Sequence, residues 1–125
     1  MNLSPGRSLS ILPGAFYLWT EHLPREEVFG LKSRMRRAAV PIPSNLAEGA
    51  GRGTDREFSH FVTIARASLN ELEIQALLVI DMQMLKADLD LEQSIERLFG
   101  LLNGLRNALD ERQTSVRAKR ESPNA

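Results

Sequence analysis

Apolar residues recur along most of this chain at alternating spacings of three and four positions, the period of a helix that buries one face. The pattern is clearest in one coiled-coil-like seam, made of Phe58, Val62, Ala65, Leu69, Leu72, Ala76 and Val79. A second seam follows, made of Leu91, Ile95, Leu98, Leu102, Leu105, Leu109 and Val116. Two long seams with a short polar connection predict an all-α, up-and-down four-helix bundle.

Two earlier helices complete the predicted bundle. The first is short, ends at Pro24, and buries a stripe of Leu12, Phe16, Trp19 and Leu23. The second has an apolar and small face, made of Leu31, Met35, Ala38, Ile42, Leu46 and Gly49. The four predicted helices cover residues 14–23, 25–51, 55–86 and 90–117. The domain therefore spans 14–117, and 1–13 and 118–125 are expected to be disordered tails.

Two helix starts carry capping signals. Thr54 and Glu57 form a capping-box signature at the start of the third helix. Asp90 and Gln93 resemble another cap at the start of the fourth helix. These residues set the predicted boundaries of the two long helices.

Two prolines interrupt the second helix. Pro41 and Pro43 lack an N–H, so the carbonyls of Arg37 and Ala39 lose their helical donors. Either the helix continues with a kink, or it breaks and Ser44 caps a new start. The small and apolar residues around the prolines can pack closely enough to hold a bent helix, which favours the kink.

Residues 77–80 (LLVI) make the third helix apolar on every side. Such a helix needs burial from more than one direction, and the short first helix cannot cover the others. In a small bundle the second direction is most simply another subunit. The sequence therefore predicts a homo-oligomer.

Residues 36–49 read RRAAVPIPSNLAEG, and residues 57–75 carry the core SLNEL. This combination resembles a family of four-helix-bundle proteins first met as reading frames in 23S rRNA intervening sequences. The matching positions are Ser44, Asn45, Ala47, Glu48, Gly49, Ser68, Leu69, Glu71 and Leu72. The resemblance implies a ring-like homo-oligomer, with five subunits as the favoured number. Distant relatives are accessory subunits of retroelement reverse transcriptases and bind nucleic acid.

The charges of the chain are unevenly placed, although 16 basic and 16 acidic residues give no net charge. Residues 28–47 hold four basic residues and no acid: Lys32, Arg34, Arg36 and Arg37. Such a segment can track nucleic-acid phosphates. The alternative is a solvated helix face that acids on a neighbouring helix balance. The expected partners are therefore RNA or DNA, or, as the resemblance implies, a reverse transcriptase. The rival function is a structural or protein-interaction module.

Polar residues of the second and third helices also fall on stripes beside the apolar faces. We expect a hydrogen-bonded network at the edge of the core, formed by Arg37, Asn45, Glu48, Ser68 and Glu71. In this hypothesis Pro41 leaves the carbonyl of Arg37 open to a side-chain donor. The alternative is that these residues are simply solvated.

Catalytic and metal-binding patterns are absent from the sequence. There is no cysteine, and the two histidines, His22 and His60, have no ligand partner at helical spacing. The glycine-rich turn at residues 49–53 lacks the Lys-Ser/Thr ending of a phosphate loop. No apolar run approaches the ~18 residues of a membrane span. We therefore expect a cytoplasmic, non-enzymatic protein with no cofactor, no metal and no membrane partner.

Overall fold

The computed structural model of the chain describes residues 12–23 and 30–121, and these residues form helices and short connections with no strand. The helices are α1 (Leu12–Thr20), α2 (Leu31–Ala39), α3 (Pro41–Ala50), α4 (Asp55–Asp81) and α5 (Leu89–Glu121). The predicted all-α class is confirmed. The predicted tail 1–13 lies outside the described residues except for 12 and 13, which belong to α1. Residues 24–29, where the second helix was predicted to begin, also lie outside.

The predicted seams form the core. Every member of the α4 seam is fully or nearly fully buried, apart from the partly buried Phe58. In α5 the seam is buried from Leu91 to Leu109, with Leu105 partly buried. The predicted stripe of the first helix is buried at Phe16, Trp19 and Leu23. Val116 is the exception, because it stays 50% exposed.

Helix α4 lies at the centre of the packing, in contact with α2, α3 and α5. It is antiparallel to α5: Ser59 donates to the Asp110 carboxylate at 3.0 Å, and seven residues further along α4 Arg66 donates to Asn103, seven residues earlier in α5, at 2.7 Å. Helix α1 packs on α2 and α5. The indole N–H of Trp19 donates to the carbonyl of Lys86 at 3.2 Å, which fastens α1 to the connection between α4 and α5.

At the prolines, one helix ends at Ala39 and the next begins at Pro41. Val40 between them keeps right-handed helical dihedrals, with φ −60° and ψ −40°. Pro41 occupies the first turn of α3, where its missing N–H costs no internal hydrogen bond. Ser44 lies inside α3 and its hydroxyl donates to the carbonyl of Val40 at 3.1 Å, so Ser44 does not cap a new helix.

The ends of the long helices differ from the predicted ones in three places. Thr54 caps α4 as predicted, accepting from the Glu57 N–H at 3.2 Å. Helix α4 ends at Asp81 and not near 86, because Gln83 takes a left-handed φ of 59° after it. The cap of α5 is Asp88 and not Asp90, because the Asp88 carboxylate accepts from the Leu91 N–H at 3.0 Å. Helix α5 continues to Glu121, through residues 118–121 of the predicted tail.

Helix α3 approaches α4 closely at Gly49. A Cβ added there would lie 2.7 Å from the Cβ of Phe61 and 3.0 Å from a ring carbon of Phe58. Both are too short for ordinary contact, so α3 can approach α4 this closely only because Gly49 has no side chain. Gly100 in α5 has open space around it.

These two glycines give a matched test of the packing. Gly49→Ala should lower the free energy of unfolding by about 1–3 kcal/mol, because the helices must separate or shift. Gly100→Ala should be neutral or raise it by up to about 1 kcal/mol, because alanine favours helix and meets no neighbour. Urea unfolding followed by circular dichroism measures both. Equal effects of the two substitutions would contradict the close α3–α4 contact.

Candidate nucleic-acid interface

The basic segment of α2 does not form one continuous surface. On a helix, Arg34 and Arg37 are three positions apart and share one side, whereas Lys32 and Arg36 are four apart and share another. Arg34 and Arg37 are exposed, and Lys32 and Arg36 are half-buried. The helical period therefore divides the four predicted nucleic-acid contacts into two pairs with different surroundings.

Arg36 is bound to the C-terminal turn of α1. Its Nε donates to the hydroxyl of Thr20 at 3.0 Å, and its Nη2 donates to the carbonyl of Tyr17 at 2.9 Å. The guanidinium also lies 4.3 Å from the centre of the Tyr17 ring. The Tyr17 carbonyl also accepts from the Glu21 N–H at 3.1 Å, and a cation at the C-terminal end of a helix interacts favourably with the helix dipole. Arg36 therefore joins α1 to α2.

Thr20 completes this contact from the inside. It is fully buried, and its hydroxyl donates to the carbonyl of Phe16 at 2.6 Å while accepting from Arg36. The sequence analysis did not single out Thr20 or Tyr17. A contact between residues sixteen positions apart and on different helices leaves no periodic signal in the chain.

Arg34 and Arg37 form the part of the predicted interface that faces solvent. Among the described residues neither makes a hydrogen bond or an ion pair. Helix α2 itself carries no acid. No described acid pairs with these two arginines, and both interpretations of the segment stay predictions. Two guanidinium groups on one side of a helix remain available to an anionic partner.

Within the described residues, no hydrogen bond links the members of the predicted polar network to one another. The Asn45 side-chain amide donates to the carbonyl of Pro41 at 2.8 Å, so Pro41 and not Arg37 supplies the acceptor. Glu48 pairs with Arg52 at 2.9 Å, and both side chains are about half exposed. The members of each pair lie four residues apart in sequence, although Arg52 lies just past the end of α3.

Of the α4 members of that network, Glu71 is likewise paired within its own helix. The Glu71 carboxylate accepts from the Gln75 amide at 3.3 Å, and Ser68 is half-buried. The Oε1 of Gln75 is buried and has no hydrogen-bond partner among the described residues. The stripe on α4 thus keeps one acceptor that the single chain does not satisfy.

Residues 12–23 and 30–121 contain neither a cluster of metal-binding side chains nor a membrane-spanning helix. His22 and His60 are both exposed. The described part of the chain holds no group of three or more His, Asp or Glu side chains that could bind a metal ion. No helix in residues 12–23 and 30–121 is long and apolar enough to cross a membrane.

A comparison with protein families decides the relationship that the motif suggested. The family model described as 23S rRNA-intervening sequence protein matches residues 12–104, which is most of the chain. The chain belongs to this family. No curated protein matches it significantly.

The family match covers the basic residues of α2 that were described above. In this 23S rRNA-intervening sequence protein, the matched residues include Arg34, Arg37 and the Arg36 contact with α1. The family description names rRNA and no enzyme activity. The match ends at residue 104, so the last turns of α5 lie beyond it.

Replacing Arg36 tests its structural role. Arg36→Ala should lower the free energy of unfolding by about 1–3 kcal/mol, through two lost charged hydrogen bonds and a cation–π contact. Trp19 on α1 is only 7% exposed, so loosening of α1 should shift its fluorescence to longer wavelength. Arg36→Lys should recover part of the stability, since a lysine cannot make both contacts.

The control is Arg34→Ala, which removes the same charge from the same helix at an exposed position. It should leave both stability and tryptophan emission within experimental error of the parent. If Arg36→Ala behaves like Arg34→Ala, then Arg36 does not hold α1.

Proposed function

We propose that this protein is a non-enzymatic helical bundle that self-associates and binds nucleic acid through its α2 arginines. The observation that carries the proposal is the exposed pair Arg34 and Arg37, on a helix without acids. Guanidinium groups bind phosphate oxygens through two parallel hydrogen bonds. The family resemblance supports a nucleic-acid partner, because it includes distant relatives that bind nucleic acid.

Self-association rests on a second surface, which we call the outer α4 stripe: Ile74, Leu77 and Leu78. These side chains are 60%, 60% and 50% exposed, while the neighbouring Val79 is fully buried in the core. Spacings of three and four residues place them on one side of the helix. A cluster of large apolar side chains in water is typical of an interface.

The finer features of the assembly are proposals as well. A ring of five copies is the form that the family resemblance favours. We also propose that Pro41 and Pro43 bend the chain between α2 and α3, since neither can continue the backbone ladder. The polar residues Glu48 and Glu71, exposed in one chain, are then candidates for pairing across subunits. A cytoplasmic location rests on the absence of cysteine.

The rival function is a structural or protein-interaction module without nucleic-acid binding. The outer α4 stripe favours it, because an apolar surface binds protein and not phosphate. In that case the partner is a protein, and a reverse transcriptase is the candidate that the resemblance suggests. Direct titration with nucleic acid separates the two functions.

The outer α4 stripe predicts the oligomeric state. The parent protein should have a light-scattering mass of several chains at micromolar concentration. Ile74→Glu with Leu78→Glu should give a single chain with unchanged helix content, because two carboxylates cannot be buried in an apolar interface. Asn107→Glu, which adds a charge at an exposed polar position of α5, should keep the parent mass. A parent mass of one chain would contradict self-association.

The α2 arginines predict salt-dependent nucleic-acid binding. The affinity for a single-stranded RNA should fall steeply as salt rises, because bound phosphates release counterions. Arg34→Ala with Arg37→Ala should lower the slope of log K against log salt by roughly 1.4, at about 0.7 per lost phosphate contact. Fluorescence anisotropy at several salt concentrations measures this slope.

The matched control removes two exposed cations elsewhere, with Lys86→Ala and Arg97→Ala. This variant keeps the net charge of the α2 variant and should bind like the parent. If the parent does not bind RNA or DNA even at low salt, the protein is an interaction module and the nucleic-acid proposal is wrong.

A further inference from the structure

The C-terminal part of α5 extends past the rest of the bundle. Arg112 of α5 pairs with Asp55, the first residue of α4, at 3.0 Å. Helix α5 then continues to Glu121, which at 1.5 Å per residue is about 14 Å further. Residues 114–121 are all exposed. No other helix of the described residues therefore packs on these turns.

The core-facing side of α5 changes from apolar to mostly basic at the level where α4 begins. Counting from Leu109 by three and then four, the next positions of the seam are Arg112 and Val116. Arg120 lies four residues further on the same side. Leucine is thus replaced by arginine on the face of α5 that, elsewhere along the helix, packs against α4.

An open cleft of about 1080 Å³ lies between this face and the start of α4. The cleft is lined by Gly53 and Thr54 of the turn before α4 and by the apolar side chain of Val116. Four guanidinium groups surround it, those of Arg56, Arg112, Arg117 and Arg120. Two lining carboxylates, Asp55 and Asp110, leave the cleft with an excess of positive charge in a chain of zero net charge.

The acids around the cleft hold these arginines only weakly. The Arg117–Glu121 pair, at 3.0 Å, joins two largely exposed side chains. In the Arg112–Asp55 pair, also at 3.0 Å, the arginine is largely exposed and Asp55 is 30% exposed. Exposed ion pairs contribute about 0–1 kcal/mol, so a phosphate can replace the carboxylate at little cost. Arg56 and Arg120 make no hydrogen bond or ion pair within the described residues. Arg120 lies in the last turn of α5, where a cation interacts favourably with the helix dipole. Arg56 lies in the first turn of α4, where the dipole does not favour a cation.

We propose that this arginine cleft is a second phosphate-binding site, which holds the backbone of a single-stranded nucleic acid. The inference rests on the proposed function and places a further contact region on the same ligand. No aromatic side chain lines the cleft, so bases have no surface to stack on. The cleft therefore binds through phosphates and without preference for sequence.

The arginine cleft is separate from the α2 pair. Helix α3 and the last residues of α2 lie between Arg37 and the turn at Gly53, a distance of about 20 Å along the helices. Three of the four arginines also lie beyond residue 104, where the family match ends. The two basic regions can therefore be removed independently.

The test compares three variants that each lose two positive charges. They are the cleft pair Arg117→Ala with Arg120→Ala, the α2 pair Arg34→Ala with Arg37→Ala, and the control pair Lys86→Ala with Arg97→Ala. All six side chains are exposed, and five of them lie on helices; Lys86 lies in the connection between α4 and α5. None of the substitutions should therefore unfold the bundle. Circular dichroism and light scattering check fold and assembly before binding is measured.

The cleft pair should weaken binding of a single-stranded RNA on the order of tenfold at low salt, and lower its salt slope by roughly 1.4. The loss should be the same for RNAs of different sequence. The control pair should bind like the parent. A poly-glutamate chain of equal length should compete much less well than RNA, since its carboxylates offer fewer acceptors than phosphates.

Each other outcome has a definite meaning. If the parent binds RNA and the cleft variant binds equally well, the arginine cleft is not a site and the proposed function stands. If poly-glutamate competes as well as RNA, the cleft binds acidic chains in general and the phosphate assignment is wrong. If the parent binds no nucleic acid at low salt, the proposed function is wrong and the cleft assignment is wrong with it.

Discussion

The close contact of α3 with α4 at Gly49 is the constraint on which the rest of the bundle depends. A side chain there would meet Phe61 and Phe58, so the absence of one fixes how near α3 lies to the central helix. Helix α2 precedes α3 and is joined to it by the single residue Val40, so its position is tied to the same contact. Arg36 then carries this placement to α1 by its bonds to Tyr17 and Thr20.

The features that the sequence predicted well are those that a few neighbouring residues determine. The seams of α4 and α5 repeat locally, and Thr54 reaches a donor three residues away. Ends that depend on an unusual backbone conformation were harder to predict. Gln83 adopts a left-handed φ that glycine or asparagine favours, so its type gave no warning that α4 ends at Asp81.

The candidate site was less predictable because it depends on which helix lies beside which. Lys32, Arg34, Arg36 and Arg37 are neighbours in sequence, yet the helical period turns Arg36 toward α1 and the exposed pair outward. The predicted network placed bonds between helices, whereas Glu48 and Glu71 found partners four residues away. Contacts within a helix need no particular register between helices, and they form wherever suitable residues recur.

The apolar and basic surfaces occupy different parts of the molecule, and this separation allows assembly and ligand binding together. Arg56 and Ile74 are at opposite parts of α4, about 27 Å apart along the helix. Subunits that meet at the outer α4 stripe would therefore leave the start of α4 uncovered. In the proposed assembly, each added copy would bring another set of arginines to one nucleic-acid strand, and linked sites bind more tightly than separate ones. A chain of zero net charge can bind a polyanion in this way, since local charge and copy number decide the affinity.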